Sequence, residues 1–251
     1  PFPRSAIQEY RVITQNFKAE YQKASSAIIT ATTRSGSNTW TGNALFGYQN
    51  KNLVTLDTFQ LNQKARNPAF AEPDFTRYVT SLSLGGPLVR NRLFFFGSYE
   101  GNYQDRSNLV DIRPATGFVG IDSANLTQYN DNFTSPFRET LLFGKLTYAL
   151  DAKSSAELSF NNRHETDIRD FGGGNAGRAY PAAVNFRQNV TSGLLRYNRF
   201  WGAWLNETKL EYSSFRRNPS PNAEGAYARQ FRYLMPGTST DQTAWIGRDL
   251  W

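Results

Sequence analysis

The feature that most constrains this chain is the rhythm of its connections. Segments of about ten residues alternate apolar and polar side chains, the period-two mark of a two-faced strand. In "TWTGNALFGYQ" (39–49) Trp40, Ala44, Phe46 and Tyr48 share one side; in "RYVTSLSLG" (77–85) Tyr78, Leu82 and Leu84 oppose Ser81 and Ser83. The pattern returns in "LLFGKLTYAL" (141–150), "SAELSFN" (155–161), "NVTSGLLRYNR" (189–199) and "NETKLEYSS" (206–214). A further strand, "RLFFFGSYEG" (92–101), is apolar on both sides at its start, so its orientation stays open. Between these seven or eight strands the links "GPLVRN", "DAKS" and "FWGA" are short. They alternate with long links over roughly 50–76, 102–138 and 162–188, and a long stretch follows about 215. Compact soluble domains favour short links throughout. Outer-membrane barrels pair short periplasmic turns with long extracellular loops.

Composition fits that reading. Hydrophobic residues are 39% of the 251 and mean hydropathy is −0.58, values a membrane barrel shares with soluble proteins because only every second strand residue meets lipid. Aromatic residues reach 15%, with 19 Phe, 13 Tyr and 5 Trp, as aromatic girdles at both interfaces require. No apolar run approaches the length of a membrane helix. The absence of cysteine excludes a disulfide framework and thiolate metal sites. The net charge of +7 comes from Lys and Arg scattered among acids rather than clustered, so no nucleic-acid partner is expected. Leu82, Leu84 and one alternating set of the Leu93–Tyr99 run are expected to face lipid.

No catalytic constellation is visible, and the chain is expected to be neither an enzyme nor a cofactor or metal protein. His164 is the one histidine and reads as a solvated residue at a strand-to-loop boundary. Asp167, Asp170 and the run Asn130, Asp131, Asn132 lack EF-hand spacing and read as loop polarity. Gly172, Gly173, Gly174 and Asn175 lack the Gly-Lys-Ser/Thr of a phosphate loop. Asn125, Asn132, Asn189 and Asn206 form chance sequons, and Arg216-Arg217 reads as a loop or rim charge. The aromatics Tyr129, Phe133, Phe171 and Tyr180, on long links, are the candidates for contact with an extracellular solute.

The first 38 residues depart from the strand rhythm. They read as a strand, a helical or turn segment around "KAEYQKAS", and a strand "AIITATTRSG". Ile7, Glu9, Tyr10 and Val12, then Ala19, Glu20, Tyr21, Ala24 and Ser25, then Ile28, Ile29, Thr30, Thr32, Thr33, Arg34, Ser35 and Gly36 resemble the end of the plug domain of TonB-dependent outer-membrane receptors. Gln22 stands where that family usually has Gly. "LSLGGPLVRNRLFFFGSYEG" (82–101), with Gly85, Gly86, Pro87, Phe94, Phe95, Phe96, Gly97, Tyr99, Glu100 and Gly101, resembles the Oar-like branch of the same receptors. The resemblance covers about 1–101; beyond that only rhythm matches. It implies an all-β fold: residues 1–38 as the C-terminal part of an α+β plug, and 39–251 as the first seven or eight strands of a transmembrane antiparallel barrel of about 22 strands. The chain then reads as a piece of a longer receptor in the bacterial outer membrane. Its partners would be membrane lipid, a TonB energy-coupling complex acting through an upstream box, and a scarce extracellular siderophore, glycan or peptide. An adhesive or exporting Oar-like protein and a soluble β-rich carbohydrate-binding module are the alternatives.

Overall fold

A computed structural model describes residues 2–14, 27–56, 58–66, 72–110, 112, 127–172, 178–222, 229–234 and 241–246. Strands β1 (Ile7–Ile13) and β2 (Ile28–Thr33) form an antiparallel hairpin, as the sequence pattern predicts. A sheet follows, in which each strand pairs antiparallel with its neighbour in sequence: β3 (Thr41–Asn50), β4 (Phe75–Val89), β5 (Leu93–Val110), β6 (Asp131–Asp151), β7 (Ser154–Arg169), β8 (Val184–Trp201) and β9 (Trp204–Arg217). The short β10 (Ser220–Pro221) prolongs the pairing of β9 with β8, Ser220 standing opposite Asn185. Asn218 N donates to Arg187 O at 2.8 Å and bridges the gap. The sheet is open, a partial barrel. A second hairpin joins β11 (Arg229–Leu234) to β12 (Asp241–Ile246).

Three tight turns close one end of the sheet. Asn91 (φ 63°) and Gly202 (φ 59°) supply the left-handed residue that such turns demand. At the third, Asp151 accepts from Lys153 N at 2.7 Å and from Ser154 Oγ at 2.9 Å. By the barrel rule these mark the periplasmic end.

All seven expected strands are present, but most are longer than the sequence suggested. Residues 102–110, 131–138, 162–169 and 184–188, read as loop, are strand. The link at 50–76 contains the helix α1 (Thr58–Arg66), and the stretch after 215 contains β11 and β12. Backbone pairing does not stop where lipid stops, whereas the apolar alternation that reveals a strand does. His164, Asp167 and Asn132 therefore lie within strands rather than loops. The "KAEYQKAS" segment, with Glu20, Tyr21, Ala24 and Ser25, lies outside the described residues.

Register fixes which face each side chain takes. One unbroken row of mutually opposed residues runs Gly86, Phe95, Leu146, Leu158, Leu195, Leu210. The next row towards the long links runs Gly42, Leu84, Gly97, Gly144, Phe160, Gly193, Tyr212. Leu82, Leu84, Leu158, Phe160, Leu195 and Leu210 are exposed, so this is the outward face. The opposite face carries Phe96, Ser98, Leu141, Phe143, Lys145, Asn161, Glu165 and Asp167, all buried. The Phe94-Phe95-Phe96 run thereby resolves: Phe95 points outward and its two neighbours inward.

Candidate functional site

The outward face is built for a bilayer. Its apolar side chains form a belt edged towards the long links by Tyr48, Tyr78 and Tyr103, which share one row. The short-turn edge carries Trp40, Tyr148, Tyr197 and the directly opposed pair Trp201 and Trp204. Aromatic rings of this amphipathic kind sit at headgroup level. The belt does not follow the hydrogen-bonded rows. Tyr78 tops it on β4 and Tyr212 tops it on β9, yet Tyr212 stands in the row of Leu84, about six residues nearer the short turns. At about 3.4 Å per residue and about 4.8 Å per strand, that offset between β4 and β9 corresponds to a strand tilt of roughly 40°. This is the tilt that barrel closure requires.

The inward face is polar and paired. Lys145 Nζ meets Glu157 at 3.0 Å, and Arg163 meets Glu139 at 2.7 Å and also Glu165. Arg196 and Lys209 converge on Glu207 at 3.6 and 3.0 Å. The Arg169 and Arg217 guanidiniums lie over the Phe186 ring, 3.5 and 5.3 Å from its centroid. Thr147 Oγ1, Asn161 Oδ1 and Asp167 Oδ1 on this face are buried without a partner among the described residues. Buried polar atoms need partners, so these are groups that water or a solute inside the wall would meet.

The amino-terminal segment docks on this face. Ser5 Oγ and Ser98 Oγ are 2.5 Å apart, Ser81 donates to Ser5, Arg4 N donates to Glu100 Oε2 at 2.9 Å, and Lys145 Nζ donates to Thr33 Oγ1 at 3.2 Å. Arg34 N donates to Ala6 O and its guanidinium to Ile7 O, closing the base of the first hairpin. Phe2 packs edge-on against Phe143 at 5.8 Å. Gly36 lies so close to Phe95 O and Gly86 O that no Cβ would fit, and the Trp40 indole covers Gly86. The Gly85-Gly86 pair is therefore a place of close approach: Gly85 leaves room for Phe96 and Gly36, and Gly86 for an indole. Pro87 follows opposite Phe94, at a register shift. Glu9, Tyr10 and Thr32 lie on the hairpin, with Tyr10 61% exposed, so only its base is anchored. Ser35 is exposed between the hairpin and Gly36.

Tyr99 and Gly101 point outward. The Tyr99 and Tyr103 hydroxyls are 3.0 Å apart, and Tyr103 reaches Thr140 at 3.2 Å. Glu100 points inward.

The four solute-contact candidates come together at the long-link end. Phe133 stacks on Tyr180 at 4.6 Å, Phe171 meets Tyr180 edge-on at 5.0 Å, and Tyr129 packs on the same cluster, with Val110, Ile112, Ala244 and Ile246 at its centre. Phe171 is only 2% exposed, so its ring is committed to packing. A second feature, not legible in the sequence, is a cleft of about 300 Å³ at the same end, lined by Lys51, Leu56, Glu72, Asp74, Phe75 and Arg106 among others. Lys51 Nζ and Asp74 Oδ1 are 2.6 Å apart there. His164 faces outward and is exposed, and no cluster of His, Asp and Glu suited to a metal occurs among the described residues.

Residues 32–118 match the family described as an outer membrane beta barrel domain. Over 178 residues, 64% of this chain, the sequence is 24% identical to the TonB-dependent transporter Oar of Myxococcus xanthus. The match covers 16% of that protein, so the chain spans a small part of the curated relative's length. No solved structure matches. An apolar belt, two aromatic edges, a polar inner face and these similarities locate the protein in the bacterial outer membrane as a β-barrel protein.

Proposed function

We propose that the chain belongs to an Oar-like TonB-dependent receptor that takes up a scarce extracellular solute. Residues 1–38 form the end of its plug and 39–251 the beginning of its barrel wall. The observation that carries this reading is the placement of the amino-terminal segment. The hairpin and the short segment before it are held to the inner face by small hydroxyls, one lysine and a small apolar contact in which Phe2 meets Phe143 and Ala6 clusters with Phe96 and Phe143. A contact of that kind holds a plug without welding it, because few apolar side chains leave water when it forms. Exposed Tyr10, Val12 and Ile29 on the hairpin suit cover by the rest of a plug, and the open edges of β3 and β9 suit further strands. The similarity to a TonB-dependent transporter supports the same reading. The charged cleft near Lys51 and Arg106 is the part of this segment that a polar solute would meet first. The chain carries no catalytic role in this scheme.

A reversible lock tests it. Ser5→Cys with Ser98→Cys, in the full protein in intact cells, places two thiols where the hydroxyls now touch. Under the transport reading, oxidation stops depletion of a solute from the medium, followed by mass spectrometry, and reduction restores it. A depletion profile that is the same locked and unlocked overturns the reading.

A further inference from the structure

Three arginines without acids stand on the inward face near its long-link end. Arg106 on β5, Arg169 on β7 and Arg217 on β9 point inward by register. The pleat splits the sequence pair Arg216-Arg217 and sends Arg216 outward, opposite Asn189. None of the three inward guanidiniums makes a hydrogen bond or an ion pair among the described residues. Glu139 and Glu165, which oppose each other one row closer to the membrane, are both taken by Arg163.

A ring holds two of these cations. Phe186 is 3% exposed, and the guanidinium carbons of Arg169 and Arg217 lie 3.5 and 5.3 Å from its centroid. A guanidinium over a ring uses its flat side. Its edge N–H groups stay free, in the fork that matches an oxyanion. Like charges gathered at one ring repel each other, and an anion between them removes that cost.

Asp167 is the charge that opposes such an anion. It stands between Phe137 and Phe186 in its row, is buried, and its Oδ1 has no partner among the described residues. Burial pushes its carboxyl above the ordinary 3.8, although Arg106 and Arg169 are near enough to pull it down. Asp170, past the end of β7, is exposed. Three arginines against the one buried carboxylate leave two positive charges unmatched. The docked amino-terminal segment does not meet them: its wall contacts are at Ser81, Ser98, Glu100, Phe143 and Lys145. Arg106 instead lines the cleft at Lys51, which opens to solvent.

We propose that the inward face between β5 and β9 binds a solute carrying at least two oxyanion groups, carboxylate or phosphate. Arg169 and Arg217 are its paired forks, and Arg106 is the third contact, towards the cleft. This names the class of solute for the receptor reading and rests on that reading only for uptake.

Calorimetric titration of the full protein in detergent micelles tests it. Pyrophosphate and tricarballylate are separate probes, and acetate is the single-charge control. At least one of the two polyanions is expected to bind; which one does so distinguishes phosphate-bearing from carboxylate-bearing solutes. Arg169→Ala with Arg217→Ala is expected to weaken binding by roughly a hundredfold, about tenfold for each charged fork lost. Arg169→Lys with Arg217→Lys stays weaker than the native protein, because lysine keeps the charge without the fork. Asp167→Asn tightens binding several-fold, a gain that misfolding does not produce. Arg216→Ala, on the other side of the wall, changes nothing. Heat-modifiable gel mobility confirms that each variant is folded. Neither polyanion bound at millimolar concentration, acetate bound as tightly, an unaffected double alanine variant, or weaker binding by Asp167→Asn overturns the proposal. If binding fails while the Ser5–Ser98 lock still stops depletion, this site falls and the receptor reading stands.

Discussion

Asn38 and Asn91 hold each other by two hydrogen bonds. Asn38 Nδ2 donates to Asn91 Oδ1 at 2.7 Å, and Asn91 N donates to Asn38 Oδ1 at 2.8 Å. They tie the link after the first hairpin to the first tight turn of the sheet, where Asn91 is left-handed. Asn38→Ala removes both bonds and is expected to cost about 1 kcal/mol, since the pair is exposed and water replaces it. Asn91→Gly keeps the turn and costs about the same, whereas Asn91→Ala adds the strain of a Cβ at positive φ, about 1 kcal/mol more. Urea midpoints of the three variants give the order, and an Asn91→Ala variant no worse than Asn91→Gly contradicts it.

Two glycines predict opposite outcomes for the same change. A Cβ on Gly36 would collide with backbone atoms of Gly86 and Phe95, while one on Gly144 meets nothing within 4 Å. Gly36→Ala therefore forces the amino-terminal segment off the wall, at about 1–3 kcal/mol. Gly144→Ala is neutral or raises stability by up to about 1 kcal/mol, because glycine is costly in a strand. Thermal midpoints of both variants separate these outcomes.

Lys145 is 7% exposed, paired with Glu157 and donating to Thr33. Lys145→Met leaves Glu157 without its cation in a half-buried place and is expected to cost several kcal/mol, on the order of 3. Adding Glu157→Gln recovers part of that loss, because the cost lies mainly in the stranded charge. A double variant as unstable as the single one contradicts this account.

The sequence made the strands legible only where lipid touches them. Leu82, Leu84, Leu158 and Leu210 announce their strands because one neighbour in two must be apolar there. Residues 162–169 continue β7 with Asn162, His164 and Thr166 outward and Arg163, Glu165 and Asp167 inward. Neither side of that stretch is oily, so it reads as loop although its backbone is paired throughout. The inner ion pairs were hidden for another reason. Glu139 and Arg163 are neighbours through register alone, and no spacing along the chain encodes it. The first hairpin and the Gly-Gly-Pro stretch were visible as motifs, but that stretch, read as the start of a turn, lies inside β4, and the turn comes at Asn91. Their physical meaning, Gly36 resting on Gly86 and Phe95, needed three segments brought together.

The link between β3 and β4 carries a pH window. The Lys64 hydrogen bond holds the Glu72 carboxyl below its ordinary value of 4.5, and the Asp74 hydrogen bond raises Lys51 above 10.5. A depressed carboxyl adds stability that is present above 4.5 and lost as pH falls through the lowered folded value. A raised lysine adds stability that is present below 10.5 and lost as pH climbs through the raised folded value. Lys51 and Glu72 are exposed, so the contributions are small and salt-screened. Protection of the Asn52 and Val54 amides, taken relative to intrinsic exchange at each pH, is expected to be greatest between those limits and to fall at neutral pH in high salt. Exchange indifferent to salt contradicts the tether.

The tilted belt makes one further prediction, which a level belt would not. Leu82 and Ser214 belong to the same hydrogen-bonded row, through Tyr99, Leu142, Asn162 and Thr191. If lipid followed the rows, an arginine would cost the same at either end. With strands tilted by roughly 40°, Leu82 sits inside the hydrocarbon and Ser214 above it. Leu82→Arg is expected to cost about 2–4 kcal/mol and Ser214→Arg about 0–1, the depth dependence of a cation on the lipid face. Unfolding the protein by urea from lipid vesicles measures both. Repeating it in lipids with shorter acyl chains should lessen the Leu82→Arg penalty, because a thinner bilayer brings its surface nearer to that row while Ser214 stays in water. Equal costs at the two positions would mean that the aromatic edges do not mark the membrane surface.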